Sequence, residues 1–225
     1  MFTMGTMPKQ PTFTASMRMI ILHGKEPFLM SRYTDDLETV LSKEYGEVER
    51  IIFDGTTTDL ATVLDEARTL DLLTRHKLVV VDEADSFLAS KGAGSTSSRK
   101  AIERYAESTV ESATLLLRAT TWRPGNLDKA VAKIGLVCKL ESLSESDTVR
   151  WCIGRCTKEH ACSIEVDAAQ LLVNKIGSAL TRLDCELAKL SSMVSPKNNI
   201  TKDVVIEMVG LSKEEQAWEI QSVLL

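Results

Sequence analysis

Ile21-Leu22-His23-Gly24-Lys25-Glu26-Pro27-Phe28 joins a short apolar run to an amphipathic one, at the place where a nucleotide-binding chain of alternating strands and helices carries its phosphate loop. A working loop reads G-x-x-x-x-G-K-[ST], because several backbone N–H groups must turn toward the phosphates while a lysine and a hydroxyl complete the site. Here the stretch holds a single glycine, and Glu26 follows Lys25 where the hydroxyl belongs. A carboxylate at a helix N-terminus satisfies the free N–H groups itself and repels a phosphate. Downstream, Leu78-Val79-Val80-Val81-Asp82-Glu83-Ala84-Asp85 has the apolar run and acidic tip of the strand that holds magnesium in such chains. Together the two stretches predict an NTPase scaffold without its ATP site.

Outward from that pair, the first 140 residues alternate strand and helix. Met19 to Leu22 reads as a buried strand, and Pro27 opens a helix to about Tyr45 with Leu29, Tyr33, Leu37, Val40 and Leu41 on one face. Val48 to Phe53 returns as a strand, and Asp59 caps a helix carrying Leu60, Val63, Leu64 and Ala67. After the strand Leu78 to Val81, a helix near Arg99 to Val110 precedes a strand Ala113 to Leu117. A last helix near Leu127 to Ile134 precedes the strand Leu136 to Leu140. Strands separated by crossover helices imply a parallel sheet covered on both faces, an α/β fold of P-loop-NTPase type.

Beyond Leu140 the periodicity is helical only. Ser146 or Asp147 is expected to cap a helix with Val149, Cys152, Ile153 and Cys156 on one side. Helices follow near Val166 to Ile176, Leu180 to Met193 (Leu180, Leu183, Leu187, Leu190 and Met193 inward) and Thr201 to Val209, closed by Gly210. The expected layout is a disordered leader over 1–16, an α/β domain over 17–143, a small helical bundle over 144–210, and over 211–225 the start of a further helical domain, cut in mid-structure.

Composition narrows the function classes. At 225 residues and 44% hydrophobic content the chain can bury one sizeable core and a smaller second one. No apolar run approaches the roughly 18 residues of a membrane span. Five cysteines, an odd count scattered over helical and strand patterns, argue against a disulfide framework and for the reducing cytoplasm. A formal net charge of −5 does not suit a protein that grips nucleic acid through its overall field, so DNA contact is expected to be local, weak or shared with partners.

Other residue groups invite chemistry and are read more plainly. Asp82-Glu83-Ala84-Asp85 spells a helicase motif, but without a phosphate-cradling loop upstream it reads as a solvated acidic turn. Cys152, Cys156, His160 and Cys162 have helical spacing and zinc-compatible donors. Two of these cysteines also belong to the apolar stripe of their helix, and no CxxC knuckle occurs; no metal is expected. His23 and His76 are expected at the surface or as caps. Neither catalytic residues nor a bound cofactor are expected.

Leu22-His23-Gly24-Lys25-Glu26-Pro27-Phe28-Leu29, Phe53-Asp54-Gly55, Ala67-Arg68-Thr69-Leu70-Asp71-Leu72-Leu73, Leu78-Val79-Val80-Val81 and Leu127-Asp128-Lys129 resemble the delta subunit of the bacterial DNA polymerase III clamp loader. Trp151, Asp167-Ala168-Ala169-Gln170-Leu171-Leu172 and the Leu-rich face of Gly177 to Leu190 are similar to that family's second domain. The resemblance implies an AAA+-like fold that does no ATP chemistry within a nucleotidyltransferase complex. It also implies a wedge that binds and opens the ring-shaped sliding clamp, and a collar, absent here, that meets the other loader subunits. The wedge positions correspond to Leu72 and Leu73, the second standing where relatives often carry an aromatic. Apolar side chains on an exposed loop can fill a partner pocket at roughly 1.5–3 kcal/mol each. The same two residues could instead pack into their own core. By the same resemblance, Arg182 lies on the helix that, in active relatives, sends an arginine to the nucleotide; here a solvated face or salt bridge is expected. Two other classes stay open from sequence: an active ATPase of helicase-loader type, and an unrelated protein-interaction module.

Overall fold

A computed structural model describes residues 11–69, 75–89, 97–194 and 199–209. The chain divides into two compact units, Pro11–Glu141 and the part from Ser142 onward.

The first unit is built on five strands: β1 (Met19–Gly24), β2 (Val48–Asp54), β3 (His76–Asp82), β4 (Ala113–Ala119) and β5 (Gly135–Leu140). They lie in the order β2-β3-β4-β1-β5, and every pairing is parallel. The helices between them are α1 (Pro27–Tyr45), α2 (Leu60–Arg68), α3 (Ala84–Ala89), α4 (Ser98–Glu107) and α5 (Asn126–Ile134). The central strands β1, β3 and β4 are apolar over Met19–Leu22, Leu78–Val81 and Leu115–Leu117 because both their faces are covered there. Met19, Ile21, Val79, Val81, Leu115 and Leu117 share one cluster with Val63 and Leu64 of α2, Phe87 of α3, Ile102 and Tyr105 of α4 and Leu127 and Val131 of α5. The alternate residues Ile20, Leu22, Leu78, Val80 and Leu116 are equally buried. Their face belongs to α1, which crosses the sheet from β1 to β2 against the direction of the later connections.

Helix α1 starts at Pro27, whose missing N–H costs nothing in a first turn, and it buries Leu29, Tyr33, Leu37 and Leu41 at four-residue spacing. It stops at Gly46, which takes φ +87° and sends its amide back to the Ser42 carbonyl. On the edge strand β2, Arg50 reaches Asp35 (2.9 Å) and Glu38 (3.1 Å) of α1 and covers the flank of the sheet. Helix α2 begins as expected, with Asp59 accepting the Thr62 amide. The short helix α3 has no counterpart in the sequence reading, since its six residues are too few to show a period.

In the second unit α6 (Glu145–Glu159), α7 (Val166–Ile176), α8 (Leu180–Met193) and α9 (Lys202–Met208) pack around Cys152, Cys156, Ala169, Leu172, Leu183, Leu187 and Leu190. Three expectations are corrected here. The cap of α6 is Ser144, whose hydroxyl accepts the Asp147 amide; Ser146 and Asp147 already lie in the first turn. The unit is not purely helical, since β6 (Ser163–Ile164) and β7 (Asn199–Ile200) form a short parallel bridge. Met193, expected inward, is 52% exposed at the last residue of α8, where the helical stripe runs out.

Candidate functional site

The position of the phosphate loop is closed by the chain's own backbone. Only Lys25 and Glu26 separate the end of β1 from the start of α1. Gly24 takes φ +134° and lies so close to β5 that a Cβ would stand 2.0 Å from the Leu140 carbonyl oxygen. The Lys25 amide, one of the donors a phosphate would need, instead gives its hydrogen to that same carbonyl (2.9 Å). Glu26 occupies the N-cap of α1 at 7% exposure, and burial pushes its carboxyl above the ordinary carboxylate range against the pull of the Phe28 amide. The Lys25 side chain is exposed. A phosphate here would meet one solvated ammonium and a buried carboxylate.

The acidic tip of β3 is likewise engaged. Arg118 of β4 holds Asp82 with two parallel bonds, from Nε to Oδ1 and from Nη2 to Oδ2 (2.6 Å). Asp85 accepts both the hydroxyl (2.6 Å) and the amide (3.1 Å) of Thr121. Burial raises the Asp85 pKa, but these bonds together with the backbone amides of Asp85 and Ser86 outweigh it and leave the carboxyl below its ordinary value. The expected solvated turn is therefore corrected. Glu83, at φ +48°, is exposed, while Asp82 and Asp85 are tied to the neighbouring strand end. Arg118 meets Asp82 through strand register: Val81 and Leu117 are paired, so the residues that follow them come together at the strand ends.

Both histidines lie inside, contrary to expectation. His23 stacks on Trp122 (5.8 Å between ring centroids), and Arg99 lies 4.9 Å over the same indole. Burial lowers the His23 pKa, with Asp128 opposing. Beside this stack Asp85, Leu88, Arg99, Thr121 and Arg123 line a pocket of about 630 Å³. At the other end of the sheet His76 stacks on Tyr45 at 4.3 Å and meets Thr114 Oγ1 at 2.9 Å. The Thr114 hydroxyl donates to the Met17 carbonyl (3.0 Å), so it accepts from His76, which is the neutral tautomer protonated at Nε2. Burial, aided by Arg18, pushes the His76 pKa down to about 4. Being first in a strand does not expose a residue whose strand is central.

Leu72 and Leu73 lie outside the described residues. The ends of their segment are well defined. On the α2 side Thr69 gives its hydroxyl to the Asp65 carbonyl (2.7 Å) and its amide to the Asp65 and Glu66 carbonyls. On the β3 side His76 is locked as above, and the Lys77 amide donates to Ser112 (2.9 Å). Gly210 and the stretch 211–225 also lie outside the described residues.

Cys152, Cys156 and Cys162 are core residues, and burial pushes the Cys152 thiol up to about 12 and Cys156 higher still. His160 turns to Asp184 (3.3 Å), which Arg155 grips through two bonds of 2.6 and 3.0 Å. Among the described residues no group of three or more His, Cys, Asp or Glu could hold a metal ion. Arg182 is exposed on α8. Among the described residues no helix is long and apolar enough to cross a membrane.

Residues 20–144, more than half of the chain, match the family described as DNA polymerase III, delta subunit. This chain belongs to the DNA polymerase III delta subunit family. It is 23% identical over 204 residues to DNA polymerase III subunit delta of Bacillus subtilis, an alignment that covers 88% of this chain and 58% of that protein. Among solved structures it is similar to the Bacillus subtilis DNA clamp loader delta protein, with a TM-score of 0.69, 22% identity, and coverage of 89% of this chain and 60% of that one. The fold is also that of the Thermotoga maritima RuvB Holliday junction branch migration motor, with a TM-score of 0.51, 14% identity, and coverage of 85% of this chain and 61% of that one. The chain thus spans about three-fifths of the length of these delta relatives. Its α/β unit shares the fold of these structures, with the Lys25 amide after the first strand bonded to the Leu140 carbonyl.

Proposed function

We propose that this delta-family chain binds the sliding clamp of DNA replication and holds one ring interface open, with Leu72 and Leu73 as the wedge, and does no ATP chemistry itself. The observation that carries the reading is the Lys25 amide bonded to the Leu140 carbonyl, in a chain whose family is that of a polymerase subunit. The fold is kept while its ligand position is filled from within. Such a scaffold is left with interaction as its role, and interface energy concentrates in a few apolar anchors of the kind Leu72 and Leu73 supply. On this reading the other loader subunits hydrolyse ATP, and they meet delta through a collar borne by the length of the relatives that this chain does not span. DNA is met indirectly or weakly, and the work is cytoplasmic.

Two measurements on the purified chain test the proposal. Titration with the purified sliding clamp is expected to give saturable binding, and calorimetry with ATP and Mg²⁺ is expected to give no heat of binding. Micromolar ATP affinity would revive the active-ATPase reading, and absence of clamp binding would leave an interaction module for some other partner.

A further inference from the structure

We propose that the pocket between α3, α4 and the β4–α5 connection binds an acidic peptide of a partner protein, holding a carboxylate on Arg99 and Arg123 and an apolar side chain against Leu88 and Ala89. The pocket measures about 630 Å³, within the roughly 300–1,000 Å³ usual for ligand sites, and Asp85, Thr121 and Trp122 complete its lining. Its walls are fixed from several sides. Asp85 holds Thr121 through both hydroxyl and amide. Asp128 accepts the Trp122 indole N–H (2.8 Å) and the Gly125 amide (2.7 Å), and Arg99 Nη2 donates to the Arg123 carbonyl (2.7 Å). The connection from Thr121 to Gly125 is therefore set before any ligand arrives, which lowers the cost of binding.

The charge left over decides the ligand. Asp85 is the one carboxylate in the lining, and it is already engaged by Thr121 and by the first amides of α3. The Arg123 side chain is exposed, and among the described residues nothing accepts a hydrogen bond from its guanidinium. Arg99, with its side chain 26% exposed, commits only Nη2. Two planar forks on one pocket suit a carboxylate or a phosphate. Three features favour a carboxylate on a peptide over nucleic acid. The Trp122 indole already has His23 stacked at 5.8 Å and the Arg99 guanidinium at 4.9 Å, so it is not the open platform on which a base stacks. A net charge of −5 opposes a long polyanion more than a single carboxylate. Leu88 and the exposed Ala89 form an apolar wall beside the arginines, which a side chain next to an aspartate or glutamate covers and a bare phosphate does not.

The test is fluorescence anisotropy of a labelled hexapeptide of alternating aspartate and leucine, titrated with this chain. Saturable binding is expected, and the same peptide with asparagine for aspartate is expected not to bind. Arg123→Gln changes an exposed side chain and leaves the bonds of the connection in place; it is expected to weaken binding about ten-fold. Arg123→Lys keeps the charge without the fork and weakens binding less. Ala89→Glu sets a carboxylate in the pocket wall and abolishes binding. Arg182→Gln, at an exposed arginine of α8, leaves the affinity unchanged. Should Ala89→Glu lower the melting temperature, the Arg123 variants decide. No saturable binding by the parental chain, or parental affinity in Arg123→Gln, overturns the proposal. So does an equal loss in Arg182→Gln, the mark of unspecific charge attraction. Tighter, Arg123-dependent binding of a hexathymidylate than of the peptide assigns the pocket to nucleic acid instead, and displacement of the peptide by equimolar inorganic phosphate reduces it to a plain anion site; either result overturns the peptide reading.

Discussion

The two ends of the same parallel sheet have opposite characters. At the C-terminal ends of the strands, where open α/β sheets hold their ligands, three described polar groups are engaged by the chain itself. The Lys25 amide goes to Leu140, Asp82 to Arg118 and Asp85 to Thr121. At the N-terminal ends, Glu66–Lys77 joins α2 to β3 and His76–Thr114 joins β3 to β4. Both ends contain engaged polar groups, yet one set fills a ligand position and the other ties a helix to the sheet. The fold supports either use because the sheet core does not depend on what the loops do.

The largest expected effect is at the N-terminal end. Replacing Leu72 and Leu73 together by alanine is expected to abolish clamp binding with the melting temperature held, as measured by titration and thermal unfolding of the same sample. If the pair is core instead, the melt must report a loss of roughly 4–10 kcal/mol, from the usual 2–5 for each large-to-small change. That outcome would erase the contrast between the two ends.

Next in size is Gly24→Ala at the closed end. The new Cβ would meet the Leu140 carbonyl at 2.0 Å on a backbone at φ +134°. A loss of more than about 3 kcal/mol follows from combined clash and strain. Gly46→Ala, with positive φ but open space around it, is expected to cost only about 1 kcal/mol. Denaturant unfolding of the two variants compares them; equal losses would mean that the loop position is not closed by contact.

Titration sharpens the comparison further, because the two ends respond to pH with opposite sign. His76 has a folded pKa of about 4 against an ordinary 6.5, so the unfolded chain takes up the proton first as pH falls. Its contribution to stability is full above about pH 6.5 and is lost as pH falls toward 4. Glu26 is raised from 4.5, so its contribution is full below that value and is lost as pH rises through its folded pKa. Melting curves between pH 4 and 8 are expected to flatten on the acid side in His76→Phe, which keeps the ring stack on Tyr45. Glu26→Gln is expected to raise the melting temperature at pH 7. A parental acid limb in His76→Phe would take the histidine out of the account.

Much of this was readable along the chain. The helix α1 from Pro27 to Tyr45, the cap at Asp59, and α7 and α8 follow from caps and apolar spacing, which are local properties of neighbouring residues. The missing phosphate loop is equally local, since it is a matter of which residues follow Gly24. Other features were not readable, and for a common reason. His76 and His23 look like loop residues until the sheet order makes their strands central. The grip of Arg118 on Asp82 and of Lys77 on Glu66 joins residues 36 and 11 positions apart. Sequence by itself determined the order of elements and the loss of the nucleotide motif, because hydrophobic period and glycine content act within a few residues. Only the tertiary structure decided which carboxylates are engaged and which ends of the sheet are closed. Those outcomes depend on strand register, which brings distant residues to within a hydrogen bond of one another.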